Sequence, residues 1–370
     1  MARGLSFRLI ACDWQTHLAE VDTFESATVI ARFNDVSTWE LVLPSDTPAA
    51  QALLSALRPR LLILDQTGTV FRSGPVLRSQ RNSSIEGEML TLSGVDDLIW
   101  LRRRLAHPQP GSAAPPYSSS ATDSRTGAAS QVIAGYVDRN AGPSAVAARQ
   151  VPGLLVPPPA AFGATVAISA RYENLLELLQ PAARAAGIGF RVRDLSFEVF
   201  QPSGVAVFST DLGTLAGWEA VAEAPDNNYV YVGGGGEGTA RLIREYTDTP
   251  SVQAWGRIET FRDRRDTTTT AEMDQSGAEA LAEGSKPPTV AMESIDTTSQ
   301  SFLRDWNVGD RATVRVGAVT ITDVIAEALL ELRANEPPEV RPVLGGAAIN
   351  LPVWRSLALA NRRLRQLERT

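Results

Sequence analysis

Side chains that carry much of enzyme chemistry are scarce in this 370-residue chain. A single cysteine, Cys12, rules out an internal disulfide. Two histidines, His17 and His107, together with that thiol are too few for a structural zinc site, and no H-E-x-x-H occurs. A nucleophilic triad would have to draw its base from the same two histidines. Cys12 and His17 share one early segment but have no third orienting group, and they read as a buried thiol and a turn histidine. Long apolar runs are missing as well. The longest uncharged stretch, residues 150–170, holds Pro152, Pro157, Pro158 and Pro159, which break any spanning helix. The opening "MARGLSFRLIACDW" has a charge inside an apolar run too short for a signal-peptide core, so neither secretion nor membrane insertion is expected. The net charge of −7 lacks the basic face that a dedicated nucleic-acid binder needs to release phosphate counterions.

What is present is the composition of a globular protein, 44% apolar and 21% charged, at a length that suggests two or three domains. The first hundred residues read as sheet. "SATVIARFNDVSTWELVLP" gives two β-rich arms about the turn at Asn34 and Asp35, and "RLLILD", "TVFRSGPVLRSQ" and "GEMLTLSGV" supply three more. Short arms joined by tight turns imply an antiparallel meander or small barrel. "DDLIWLRRRLA" reads as a closing helix with Leu98, Leu101 and Leu105 on one face. Asp96 and Asp97 then sit at its positive end, and Arg102, Arg103 and Arg104 form a solvated last turn.

The Pro/Ser/Gly/Ala stretch 107–130 breaks all periodicity and reads as a linker or long surface loop. A helix and hairpin follow in "ARYENLLELLQPAARAAGIGFRVRDLSFEVFQP". Tyr172, Leu175, Leu176, Leu179 and Ala183 form the buried stripe, Glu173 and Glu177 share the opposite face, and Gly187 ends the helix. Strand pairs follow in "NNYVYVGGGGEGTARLIREYTD" and "VQAWGRIETFRDRRD", then the helix-prone "TAEMDQSGAEALAEGSK". At the end, Val353, Leu357, Ala360, Leu364 and Leu367 repeat at alternating four- and three-residue spacing, a coiled-coil seam too short to hold chains together alone.

Each motif with chemical meaning meets a simpler explanation. Gly233, Gly234, Gly235 and Gly236, with Gly238, satisfy G-x-G-x-x-G after a strand. The following "TARLIREYTDTP" alternates like a strand and stops at Pro250, so no helix N-terminus is available for a pyrophosphate. A flexible hairpin loop is the expectation. Neither "RDRRD" nor the Asp96/Asp97 pair has calcium-loop spacing, and the glutamate pair Glu173/Glu177 is expected to be solvated. In "DWNVGDRATV", Trp306 is an apolar anchor, Gly309 supplies positive φ, and Asp310 accepts a backbone N–H; the segment reads as a structural turn. No cofactor, metal or catalytic residue is assigned.

Several stretches, in order, resemble the tail-hub or minor tail proteins of long-tailed phages of actinobacteria, which are similar to the N-terminal part of tail-associated lysins and to baseplate-hub proteins. They are "ARFNDVSTWELVLP", "LTLSGVDDLIWLRRRLAHP", "ENLLELLQPAARAAGIGFRV", "YVYVGGGGEGTAR" with "WGRIETFRDRRD", and "DWNVGDRATV" ending in "VRPVLGG". The resemblance implies a mainly β fold with an α+β insertion. Residues 1–106 would form a first tube-like antiparallel β-barrel with its closing helix, and 107–217 a linker loop and a smaller helix-hairpin domain. Residues 218–346 would form a second barrel and 347–370 a C-terminal helical tail. It further implies a non-enzymatic homotrimeric ring in the virion, assembled in the host cytoplasm and capping the tail tube. Its partners would be a distal tail protein, a tape-measure protein and further tail-tip or fibre proteins. The genome would pass through the lumen without specific binding. Relatives often continue into a peptidase or glycosidase, whereas this chain stops at Thr370, so wall-degrading activity is expected elsewhere. A carbohydrate-binding tail-tip module and a cell-wall glycosidase are the alternatives. One conflict stands within the chain. "DVIAEALLELRA" has helical propensity, with Val324, Ile325, Ala328, Leu329 and Leu332 on one face, but the resemblance makes it a long strand, and strand is the expectation.

Overall fold

A computed structural model describes residues 5–345 except 12, 14–15, 56–58, 85–86, 114–119, 205, 287–288, 317–318, 335 and 337. Cys12 and the seam at Leu357, Ala360, Leu364 and Leu367 lie outside the described residues.

The first segment contributes β1 (Leu5–Ile10), β2 (His17–Glu20), β3 (Ser26–Arg32), β4 (Thr38–Pro44), α1 (Pro48–Ser55), β5 (Arg60–Asp65), β6 (Val70–Ser84) and β7 (Gly87–Val95), ending in a short α2 (Ile99–Arg102) and β8 (Leu105–Ala106). An α+β module follows: β9 (Asp123–Ala128), α3 (Ala129–Asn140), β10 (Thr165–Ala170), β11 (Glu173–Asn174), α4 (Leu175–Ala185), β12 (Gly189–Arg193) and β13 (Ser196–Phe200). The chain returns through β14 (Ala206–Ser209) and β15 (Leu215–Val221). A second small module then runs β16 (Tyr229–Gly233), β17 (Ile243–Thr247), α5 (Thr249–Trp255), β18 (Glu259–Asp263) and α6 (Thr270–Gly284). The last strands are β19 (Thr289–Ser294), β20 (Arg311–Val316), β21 (Val319–Arg333) and β22 (Glu339–Leu344).

The fold is mainly β, built on one large sheet in the order β15-β19-β22-β21-β3-β4-β7-β6-β5-β1-β2, with β20 and β14 branching from β21. Apart from the parallel β14–β20 pair it is antiparallel. Both ends are open: among the described residues β15 and β2 are not paired with each other, and no closed barrel is found.

Alternation explains the first arms. Ala27, Val29 and Ala31 of β3 and Trp39, Leu41 and Leu43 of β4 point into a common core. The same core takes in Phe208 of β14 and Ala328, Leu330 and Leu332 of β21, so it is shared by the two ends of the chain. β21 settles the helix–strand conflict as expected. Its apolar residues fit either period, but Ala328, Leu330 and Leu332 face the core at strand spacing. β3 and β22 flank it on both sides and satisfy its backbone groups. Glu327, which a helix would leave solvated, meets Arg32 at 2.9 Å across the β3–β21 seam.

Several local expectations fail. The closing helix is a single turn, Ile99–Arg102, because Asp96 and Asp97 are drawn into the core by arginines and Leu105 enters β8, exposed. Tyr172 lies outside α4 at φ 67°, and Glu173 lies in β11. The Asn174 side chain accepts from the N–H groups of Leu176 and Glu177 and starts α4 only after Glu173, so Glu173 and Glu177 share no helix face. The stretch 107–130 holds β9, not loop alone, and leads into α3, which buries Val132, Ile133, Tyr136 and Val137.

Candidate functional site

The turn after Trp306 forms a structural knot. The Trp306 ring is 3% exposed and lies 5.2 Å from Phe208 and 4.8 Å from Phe302, which in turn meets Phe71 of β6 edge-on at 5.6 Å. This aromatic chain ties the first segment to β14 through the last. Gly309 takes φ +94°, with its N–H donating to Ile325 C=O at 2.9 Å. Asp310 closes the turn by accepting the Asn307 N–H at 2.8 Å. Its own carbonyl accepts from Ile325 N–H, and Arg311 N–H donates to Ser203 C=O. The turn thereby fixes the middle of β21 and the lead into β14. Burial pushes the Asp310 carboxyl above the usual range, against the pull of Arg191.

The four glycines occupy a hairpin between β16 and β17, as their context predicts. The loop is more packed than a flexible loop requires. Gly233 and Gly234 are buried, Gly234 N–H donates to Leu242 C=O, and Gly235 N–H donates to Thr267 C=O. Arg241 clamps the carbonyls of Gly233 and Gly234 at 2.9 and 3.0 Å. A Cβ at Gly233 would meet the Phe261 ring, and one at Gly234 would meet Met273, so close packing is what requires glycine there.

Sequence reasoning missed the most charged part of the interior. Asp97, fully buried, accepts from Arg60 Nη2 and Ser73 Oγ, both at 2.5 Å, and from Trp100 Nε1 at 3.1 Å. Ser73 Oγ also accepts the Asp194 N–H, linking β6 to the β12–β13 turn. Asp96 faces Arg72 at 3.8 Å, and Arg72 also donates to Phe71 C=O. Burial pushes Asp96 up to about 6 and lowers Arg72 to about 10, so desolvation outweighs their mutual attraction in both. These acids are enclosed and matched to arginines, an arrangement for joining elements. The available signal was Arg72, which interrupts the apolar start of β6, while Arg60 opens the apolar β5.

The remaining candidates stay apart. His17 Nε2 lies 3.3 Å from Glu20 at the exposed start of β2, while His107 packs edge-on to Tyr172 at 5.1 Å. Burial lowers the His107 pKa, with Arg149 adding to the effect. Among the described residues, no group of three His, Cys, Asp or Glu is placed to hold a metal, and no helix is long and apolar enough to cross a membrane.

The surface feature with most bearing on assembly is the sheet edge. Among the described residues β15 pairs only with β19, and its Trp218 and Val221 are 49% and 41% exposed. An apolar edge with unpaired backbone groups is a template for another chain.

The fold is that of phage tail proteins. The 43 kDa tail protein of prophage MuSo2 from Shewanella oneidensis matches with a TM-score of 0.60 at 11% identity, over 92% of this chain and 98% of that one. Prophage tail protein gp18 from Listeria monocytogenes matches at 0.58 and 11% identity, over 96% and 99%. A tail protein from Neisseria meningitidis matches at 0.54 and 14% identity, over 92% and 96%. At such identities the likeness speaks for the fold alone. No sequence among the curated proteins matches. The sequence pattern of one family does match, over residues 13–346, and the chain therefore belongs to the Siphovirus ReqiPepy6 Gp37-like protein family.

Proposed function

We propose that this protein is a hub subunit of the siphovirus tail tip, three copies of which form a ring that caps the tail tube. As a member of a siphovirus family with a tail-protein fold, it is a structural component of the virion tail. The observation that carries the finer reading is the edge strand β15. Trp218 and Val221 sit on an open strand at one end of the large sheet, and β2 lies open at the other. Closure of such a sheet requires neighbouring copies, and a ring removes the edges that a lone subunit would leave to aggregate.

In this arrangement the β1–β7 region and the β14–β15 and β19–β22 region act as two tube-like halves joined along the β3–β21 seam. The modules carrying α3–α4 and α6 project as insertions. The acidic balance of the chain, −7, lets DNA pass the lumen without adhering. Distal tail, tape-measure and fibre proteins are the neighbours this position requires, and bond-making chemistry belongs to other tail components. Light-scattering mass measurement on the purified protein tests the ring. Three copies per particle are expected, falling to one for Trp218→Arg with an unchanged far-UV circular dichroism spectrum. A wild type that stays monomeric at every concentration, or a trimer indifferent to Trp218→Arg, refutes the proposal.

A further inference from the structure

The inserted three-stranded sheet has one face covered and one face open. Val230 and Val232 of β16 and Tyr246 of β17 pack on Met273, Ala280 and Leu281 of α6. Strand alternation sends the intervening residues to the other side. There Tyr229, Tyr231 and Gly233 form the central row. Thr247, Glu245 and Ile243 stand opposite them on β17, and Glu259, Phe261 and Asp263 on β18. Phe261 is 53% and Ile243 46% exposed. Phe261 pairs in register with Tyr231, yet its ring tip is what a Cβ on Gly233 would strike, at 2.5 Å. The ring therefore leans across the sheet over the glycine and does not stand upright. Tyr229 and Tyr231 lie 5.4 Å apart, with the Arg257 guanidinium 3.6 Å over the first and bonded to the hydroxyl of the second.

We infer that this open face is a binding site for a neutral polysaccharide, with Phe261 and Tyr231 as the stacking platform. The weakly polar C–H face of a sugar ring is attracted to the electron-rich face of an aromatic ring. The charged groups alongside are already matched within the face: Glu245 with the Tyr229 hydroxyl, Glu259 with Arg257 at 2.5 Å, and Asp263 with Arg241. A charged ligand would have to displace these pairs, whereas sugar hydroxyls can share their remaining lone pairs and N–H groups. Residues 226–285 carry eleven acidic side chains against six arginines, which repels nucleic acid and other polyanions. Size argues against a protein partner. Three strands of five residues cover roughly 250 Å², well short of the roughly 800 Å² per side of a stable protein interface.

The test is electrophoresis of the intact protein through gels containing dextran, mannan or arabinogalactan, with heparin as the polyanion control, alongside an array of neutral glycans. Saturable retardation by a neutral polymer is expected. Phe261→Ala should weaken it about tenfold, the scale of one lost aromatic contact. Tyr231→Ala should do likewise, and Phe261→Ala, at an exposed position, should leave the melting curve unchanged. The inference falls if no neutral glycan binds, if only heparin binds, or if Phe261→Ala binds as the wild type does. It falls equally if Phe261→Ala instead alters the number of copies per particle, since a second chain would then cover the face. The ring reading is judged separately by Trp218→Arg, so either proposal can fail alone.

Discussion

Replacing Gly309 with alanine separates two costs that the turn after Trp306 imposes. The first is backbone: at φ +94° an L-residue is strained, which costs about 1–2 kcal/mol. The second is space. A Cβ at Gly309 would sit 3.0 Å from ring atoms of both Phe200 and Phe33, which are themselves packed edge-on at 6.1 Å and have little room to yield. Overpacking of that kind adds about 1–3 kcal/mol, for a total of about 2–5 kcal/mol. Gly187 provides the control. It takes φ +65° after α4, but nothing lies within 4 Å of its Cβ position, so Gly187→Ala should show the backbone cost alone. Urea unfolding followed by tryptophan fluorescence gives both values from midpoint shifts at constant slope. If the two variants lose equal stability, crowding at the turn is illusory. A Gly309→Ala loss below about 1 kcal/mol would also overturn the strain argument.

Two more outcomes follow from the seams. Glu327→Ala strips Arg32 of its carboxylate at a site where the two side chains are 11% and 17% exposed. A loss of about 2–4 kcal/mol is expected, below the fully buried range. In a double-mutant cycle with Arg32→Ala, a coupling near zero would show that the pair is decorative. Asp96 gives a pH signature. With its carboxyl raised to about 6, the native state holds a proton between about pH 4 and 6 that the unfolded chain has released. Its contribution to stability therefore falls as pH rises through that window and is level above it. Asp96→Asn should remove this slope from the stability–pH curve, and an unaltered slope would assign the titration to another group.

Much of the scaffold was legible because alternation and burial coincide. β3 and β4 announce themselves in "SATVIARFNDVSTWELVLP", and the glycine run falls in a hairpin because no helix-forming stretch follows it. What stayed hidden depends on partners remote in sequence. Asp96 and Asp97 look like helix-terminal acids until Arg72 and Arg60 approach from β6 and β5. α3 was concealed by the small and polar residues around it, although Val132, Ile133, Tyr136 and Val137 carry helical spacing. The platform at Phe261 was illegible for a related reason: only the β16–β18 pairing brings it to Tyr231, thirty residues upstream.

The β3–β21 seam also dictates a schedule. Arg32 and Glu327 stand 295 positions apart, so at about 5–20 residues per second the ribosome keeps the first strand waiting roughly 15–60 s for its mate. During that interval β3 has β4 on one flank and bare amides on the other. The two inserted modules, whose strands pair nearby in sequence, can mature meanwhile. Chaperone occupancy of nascent chains arrested before residue 319 should therefore exceed that of chains released beyond β21, making late synthesis the vulnerable stage in the life of this protein.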